Sequence, residues 1–439
     1  MKLLERLTTH EKYADRESVY LRWYPKTLTP ISGASMTSLE GVRPEGIYIH
    51  VPFCDRLCHF CPFNKRQTDN ELLARYLQAL HAEIDSWGEF SEDANIQFVY
   101  FGGGTPSVLT AQEISAILAA IRIHFGLAKA AEITLEAHPT HLTTDYAHSV
   151  LDAGITRIST GIQAFDDRLL SLMGAQHRAI DAFRAIENAA DVFGQVSIDL
   201  LFRCPGQSLA DWERQVVTAI ELGCLSHISC YSLVLKDSRD QPPHMEEAAM
   251  TVLAHKLLSN AGYEHYASCA SGGFDFALPG FQCRYELMHW GAPQAQFLGL
   301  GPGAFGFVGN GTTVNGLDLG RYCDRLTSSS LPLVSITPLN EEERLRRYFV
   351  LGVKTHNVPL GPFRASFGRD PMDVFRQEFK QLDSWGFALV EADLLSLSDL
   401  GRLFADSVSE LFFSNKERDI RHPEEPEIRA IEIATWDAS

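Results

Sequence analysis

An α/β fold on a parallel sheet is predicted by two observations. Short β-rich runs alternate with longer segments that carry apolar residues at helical spacing, and the most distinctive residues sit at or near the ends of those runs. The runs are 47–51, 96–101, 133–137, 155–160, 196–202 and 228–233, and between them lie helical patterns at 71–87, 111–125, 143–153, 179–190 and 210–222. These spacings leave room for right-handed crossovers, and in such sheets function gathers at the carboxyl ends of the strands.

The first run leads into His50-Val-Pro-Phe-Cys54-Asp-Arg-Leu-Cys58-His-Phe-Cys61-Pro-Phe63, which puts Cys54, Cys58 and Cys61 at C-x3-C-x2-C spacing. That spacing holds a [4Fe–4S] cluster by three irons and leaves the fourth open to a small chelating molecule. Structural zinc is the alternative, but it normally takes four ligands, and His59 lies between two of the cysteines, where its ring would have to turn back on its own loop. A disulfide framework is disfavoured by the charged beginning Met1-Lys-Leu-Leu-Glu-Arg-Leu, which does not read as a secretory signal.

After the second run comes Phe101-Gly-Gly-Gly-Thr-Pro-Ser107, a glycine turn that lets backbone approach a ligand and offers N–H groups to an acceptor. Glu136 ends the third run, where it can accept ribose hydroxyls or stand as a solvated strand-end carboxylate. Gln163 follows the fourth. Asp199 lies within the fifth between apolar neighbours, so its carboxylate faces inward and needs a donor.

Composition fits a cytoplasmic enzyme with a large core. The chain has 439 residues, 45% of them hydrophobic, and no apolar run approaches the roughly 18 residues that span a bilayer. With 38 basic against 56 acidic residues, a net charge of −18 argues against nucleic-acid and membrane partners. The nine cysteines are the triad and six scattered ones, whose default role is that of buried small hydrophobes in a reducing compartment.

In order along the chain, Tyr48-Ile-His-Val-Pro-Phe-Cys54, the Gly-Gly-Gly-Thr-Pro-Ser turn, Ser159-Thr-Gly-Ile-Gln-Ala-Phe-Asp166 and Ile198-Asp-Leu-Leu with Pro205-Gly-Gln207 resemble one subgroup of radical S-adenosylmethionine (SAM) proteins. That subgroup contains oxygen-independent coproporphyrinogen III oxidase, the related heme chaperone and the class C radical methyltransferases. The resemblance covers about residues 44–320. It implies a partial (β/α)6 TIM-type barrel with the cluster on the first loop, and a small helical, winged-helix-like C-terminal domain. Carried over residue by residue, it implies that Tyr48, Phe60, Gly103, Glu136, Gln163 and Asp199 surround a cluster-bound SAM, and that Gly104 and Thr105 face a second SAM. It further implies reductive cleavage of SAM to a 5′-deoxyadenosyl radical, a small-molecule substrate and an electron donor such as flavodoxin or ferredoxin.

The expected organisation is an N-terminal arm (1–43), the barrel (44–235), a barrel extension (236–340) and a C-terminal helical domain with a charged, partly mobile tail (341–439). Tyr20, Trp23, Tyr24 and Pro25 of the arm either strap the barrel mouth or pack on its side, and packing is preferred. The stretch Leu298-Gly-Leu-Gly-Pro-Gly-Ala304 resembles the family's post-barrel turn.

Departures from the family bear on the reaction. The heme chaperones' His-Asn pair is replaced by Tyr285-Glu286, although Tyr285 or His289 can in principle ligate heme iron. The oxidase's additional cysteine is replaced by Phe63, and an arginine expected after Gln163 for the SAM carboxylate is Ala175, with Arg178 as its substitute. Arg203 stands where the family has glycine; it recognises an acidic substrate, compensates for Ala175, or is merely solvated. On these grounds the expected reaction is methyl or methylene transfer from a second SAM to an sp2 carbon. Oxidative decarboxylation of a porphyrinogen and heme chaperoning are the alternatives.

Overall fold

The computed structural model describes residues 2–13, 23–31, 39, 42–58, 61–91, 94–233, 244–268, 273–291, 295–391 and 393–436. Six strands, β1 (Gly46–Val51), β2 (Ile96–Gly103), β3 (Leu127–Ala137), β4 (Arg157–Gln163), β5 (Val196–Phe202) and β6 (His227–Ser232), lie side by side in sequence order, and every neighbouring pair is parallel. This is the expected α/β arrangement of repeated crossovers. Their outward residues, among them Ile47, Ile49, Val99, Phe101, Ile133, Leu135, Ile158 and Ile198, form one apolar core with the covering helices.

Those helices begin where local chemistry dictates. Asp69 caps α1 (Asn70–Phe90) by accepting from the Leu72 N–H. Thr110 and Glu113 form a capping box at α2 (Ala111–Phe125), and Ser208 and Asp211 form another at α3 (Leu209–Glu221), each satisfying N–H groups that the first helical turn leaves unpaired.

Six further strands extend the sheet: β7 (Glu264–Ala267), β8 (Phe274–Ala277), β9 (Phe297–Leu300), β10 (Phe305–Val308), β11 (Gly311–Asn315) and β12 (Leu333–Pro338). The order is β12-β11-β10-β9-β1-β2-β3-β4-β5-β6-β8-β7. Strand β9 pairs parallel with β1, whereas β10 to β12 and the pair β8–β7 are antiparallel. The Gly301-Pro302-Gly303 turn between β9 and β10 lies against the site: a Cβ on Gly301 would meet the His50 carbonyl oxygen at 2.4 Å.

A second core lies in the C-terminal region, where Phe349, Phe363, Phe375, Phe379 and Phe412 pack together. Its helices accompany a small antiparallel sheet of β13 (Asn357–Pro359), β14 (Ala388–Glu391) and β15 (Leu394–Leu397), in the order β13-β15-β14. From the arm, Trp23 packs on Phe305 and His422, and Tyr24 stacks on Phe413, so the described part of the arm packs on this side; Tyr20 lies outside the described residues.

The expectation of a mobile tail is corrected. Residues Glu425–Trp436 form a helix whose Ile428, Glu432 and Trp436 are buried. The Glu432 carboxylate accepts from the Leu317 and Asp318 N–H groups, and the Trp436 indole N–H donates to the Leu333 carbonyl. The charged residues between them mask an inward face. Among the described residues no helix is long and apolar enough to cross a membrane.

Candidate functional site

The cysteine loop leaves the carboxyl end of β1 and is pinched shut at its base. Phe53 and Cys54 pair parallel with Arg66 and Gln67, the Arg66 N–H donates to the Pro52 carbonyl at 2.8 Å, and the Thr68 N–H to that of Cys54 at 2.9 Å. Cys54 is buried, Cys58 and Cys61 are half-buried, and all three are free thiols. Burial raises the pKa of Cys54 and of Cys58, and each also feels Cys61, so the thiols lie within one another's electrostatic reach. Among the described residues no three His, Cys, Asp or Glu side chains converge on a single metal position. Three thiols on one pinched loop are the donor set that a four-iron cluster takes at three of its irons, one thiolate to each. Phe60 lies outside the described residues.

The glycine turn after β2 serves the cysteine segment directly. Val51 sits opposite Gly103 in the ladder. The Gly104 N–H donates to the Val51 carbonyl at 2.8 Å, the Thr105 N–H to that of Phe53 at 2.7 Å, and the Thr105 hydroxyl bonds the Cys54 thiol. A Cβ on Gly104 would meet the Phe53 oxygen at 2.7 Å and the Val51 oxygen at 2.8 Å. These two N–H groups are therefore spent on the loop, a correction to the expectation that the turn offers them to a ligand. The Gly103 N–H donates to Glu136 Oε2 at 3.2 Å, and Gly103 has the left-handed φ of 112° that glycine tolerates.

Glu136 is held on both oxygens, since Tyr100 Oη–H donates to Oε1 at 2.8 Å. Burial raises its pKa, and the two hydrogen bonds oppose the rise. Gln163 has a φ of 62° at a register shift in the β4–β5 ladder. Its amide lies 2.6 Å from where a Gly161 Cβ would be, and Asp199 Oδ2 lies 3.9 Å from the same point, so the glycine makes room for both. Ser229 sits opposite Asp199 on one side and Asp275 on the other. Burial first, then the charges of Glu136 and Asp275, pushes the Asp199 carboxyl well up.

Tyr48 closes one side of this group. Its ring stacks on Tyr100 and on Tyr285, with centroids 6.1 Å and 5.5 Å apart. Tyr285 and Glu286 belong to α4 (Arg284–Gly291), whose first turn enters the barrel. Glu286 accepts from the Trp290 indole N–H at 2.6 Å, and burial with the nearby Asp275 pushes it up to about 8. His289 is 5% exposed and wedged among Trp290, Phe305 and Phe297, so it is not presented as an open axial ligand.

Tyr48, Gly103, Glu136, Gln163 and Asp199 are thus brought together beside the cysteine loop, Gly103, Glu136 and Gln163 at or near strand ends and Tyr48 and Asp199 from within β1 and β5. Arg178 is not. It caps the helix Ala179–Ala190, and its guanidinium pairs outward with Asp167 at 3.2 Å with 75% of the side chain exposed. Two positioning groups were missed by the sequence reading. His50 is fixed between the Tyr48 hydroxyl at 3.2 Å and the Asn64 carbonyl at 2.8 Å, and burial lowers its pKa to about 4. Asn64 in turn donates to the Pro302 and Leu317 carbonyls, tying the end of the cysteine loop to the Gly301–Gly303 turn. Both are common residue types whose partners are distant in sequence, so no local signal marks them.

Comparison with known proteins supplies the remaining observations. A family model described as the radical SAM superfamily matches residues 48–215. The heme chaperone HemW of Mycobacterium tuberculosis H37Rv is 30% identical over 397 residues, 86% of this chain and 97% of the relative. HemW of Bacillus subtilis is 29% identical over 375 residues, 82% of this chain and 97% of the relative. Among solved structures, coproporphyrinogen III oxidase (HemN) of Escherichia coli, a radical SAM enzyme, superposes with a TM-score of 0.77 at 21% identity, covering 90% of this chain and 96% of that one.

Proposed function

The chain belongs to the radical SAM superfamily, and on that premise we propose that it binds a [4Fe–4S] cluster and SAM and handles heme, as the relatives it matches over most of their length are named for doing. The observation that carries the reading is the cysteine loop pinned by the glycine turn beside Glu136, Gln163 and Asp199, in a chain whose likeness to heme chaperones extends beyond the barrel. Cys54, Cys58 and Cys61 would hold the cluster, whose chemistry when bound is one-electron cleavage of SAM to a 5′-deoxyadenosyl radical.

The residues around it bind, orient and exclude water. Glu136, locked by Tyr100 and Gly103, presents its remaining lone pairs to ligand donors, and Gln163 and Asp199 add an amide and a carboxyl beside it. The rings of Tyr48, Tyr100 and Tyr285 wall the space against water, which a radical species requires. Anaerobic titration with hemin should yield a Soret band that saturates near one equivalent. Its absence from cluster-loaded protein would contradict heme handling.

One observation favours a second reading, radical methyl or methylene transfer to an sp2 carbon using two SAM molecules. Tyr285 and Glu286, in place of the chaperones' His-Asn pair, face Tyr48, Tyr100 and the interior carboxylates. With its pKa near 8, Glu286 can carry a proton at neutral pH and donate it to a substrate. This reading predicts 5′-deoxyadenosine together with S-adenosylhomocysteine; the first without the second contradicts methyl transfer.

A further inference from the structure

The cysteine loop is tied at its two ends and held along its span by side chains. The ends are fixed by the pairing of Phe53 and Cys54 with Arg66 and Gln67 and by Asn64 on the Pro302 and Leu317 carbonyls. Among the described residues, two hydrogen bonds join residues 55–58 to other parts of the chain. Arg56 reaches the Gln176 amide oxygen at 3.5 Å, a long contact between exposed side chains that holds little. The other is well formed, with His141 Nε2 lying 2.9 Å from Asp55 Oδ2.

His141 is itself held from behind. It ends the single 3-10 turn Pro139–His141 that follows β3, and its N–H donates to the His138 carbonyl at 2.9 Å. Its Nδ1 lies 2.9 Å from the hydroxyl of Ser107, which is 5% exposed in the turn Pro106–Val108 directly after the glycine run. The Ser107 oxygen also accepts from the His138 N–H at 3.0 Å. The directions of these bonds follow from the groups. A carboxylate accepts and does not donate, so Nε2 carries the ring proton toward Asp55, and Nδ1 accepts from the Ser107 hydroxyl. Both ring nitrogens are thus used, and one side chain joins the cysteine loop to the loops after β2 and β3. The last of these continues the chain directly from Glu136.

We propose that His141 is a positioning residue, a latch that acts through Asp55 to hold Cys54 and Cys58 in register with Glu136. The inference rests on the reading of the site as one for a cluster and SAM. A loop pinned only at its ends would leave the intervening thiols free to drift relative to the residues that meet the ligand, and the Asp55–His141–Ser107 chain removes that freedom.

The latch can be tested without the cluster. In anaerobic, metal-free full-length protein, alkylation of each cysteine by iodoacetamide is timed by mass spectrometry for wild type, His141→Ala, Asp55→Ala and the double variant. Asp55 has 59% of its side chain exposed, so its truncation should leave the fold intact. Cys54 and Cys58 should react about tenfold faster or more in each single variant, the effect of losing one hydrogen bond to a charged group. The double variant should be no faster than the singles, because the two residues act as one pair. Cys230 and Cys283, buried elsewhere, should stay protected and so report an intact fold. After cluster loading, the shift of electron paramagnetic resonance g values on addition of SAM should require about tenfold more SAM in both single variants. Alkylation rates or SAM affinities that stay within about twofold of wild type in Asp55→Ala overturn the inference, as do single-variant effects that multiply in the double. A wild-type protein that takes up no cluster overturns the functional reading instead, and the alkylation rates still decide whether the latch exists.

Discussion

Tyr100 Oη–H donates to Glu136 Oε1 at 2.8 Å across adjacent parallel strands, while the Gly103 N–H holds Oε2 at 3.2 Å. The carboxylate of Glu136 is thereby aimed before any ligand arrives. Tyr100→Phe removes one of these bonds and leaves the ring stack on Tyr285 in place. A hydrogen bond to a charged group contributes about 1.5–3 kcal/mol, so SAM should bind about tenfold more weakly or worse. Equilibrium titration of SAM measures this, and an unchanged dissociation constant would show that Glu136 is not a ligand contact.

Glu83 makes stability pH-dependent. It is fully buried on α1, accepts from the Gly301 N–H at 2.8 Å, the Tyr322 hydroxyl at 2.6 Å and the Asn315 amide at 2.7 Å, and burial raises it from 4.5 to about 7. The folded chain keeps this proton up to about pH 7, whereas the unfolded chain releases it near 4.5. The unfolded state therefore binds fewer protons within that window, and the contribution of Glu83 to stability, complete below it, declines as pH rises through it, by about 3 kcal/mol in all. Glu83→Gln cannot titrate. Denaturant melts from pH 4.5 to 8 should show the stability difference shifting toward the variant by about that amount, and a difference that ignores pH contradicts the assignment.

Gly104→Ala tests the seam between the glycine turn and the cysteine segment. The added methyl meets backbone oxygens of Phe53 and Val51, which cannot move without displacing Cys54. Overpacking of this kind costs about 1–3 kcal/mol, and iron content per chain should fall with Tm. Full iron incorporation at unchanged Tm would show that the seam does not position the loop.

What could be read in advance, and what could not, divides along local and distant causes. Strand β5 matches the predicted 196–202 run end to end, and α2 matches 111–125, because an apolar run or a Thr110–Glu113 capping box is written within a few neighbouring residues. Strands β7 and β8 have four residues each and exist through pairing, β8 with β6 and β7 with β8, so no periodicity announces them. The site behaves in the same way. Glu136 and Gln163 stand out as polar residues at strand ends and Asp199 as a carboxylate within an apolar strand, but the use of the Gly104 and Thr105 N–H groups, the outward turn of Arg178 and the Asn64 tie to Pro302 depend on chain segments far apart in sequence. The positive φ of Arg203 is likewise invisible in sequence.

The central claim is that Cys54, Cys58 and Cys61 hold a [4Fe–4S] cluster whose fourth iron is open to SAM. Low-temperature electron paramagnetic resonance of the anaerobically reconstituted, reduced protein, recorded with and without SAM, tests it most directly. A reduced-cluster signal whose g values shift on addition of SAM, and which is lost in Cys58→Ala, is the expected result. A spectrum that SAM leaves unchanged, or a signal that survives in Cys58→Ala, would contradict it.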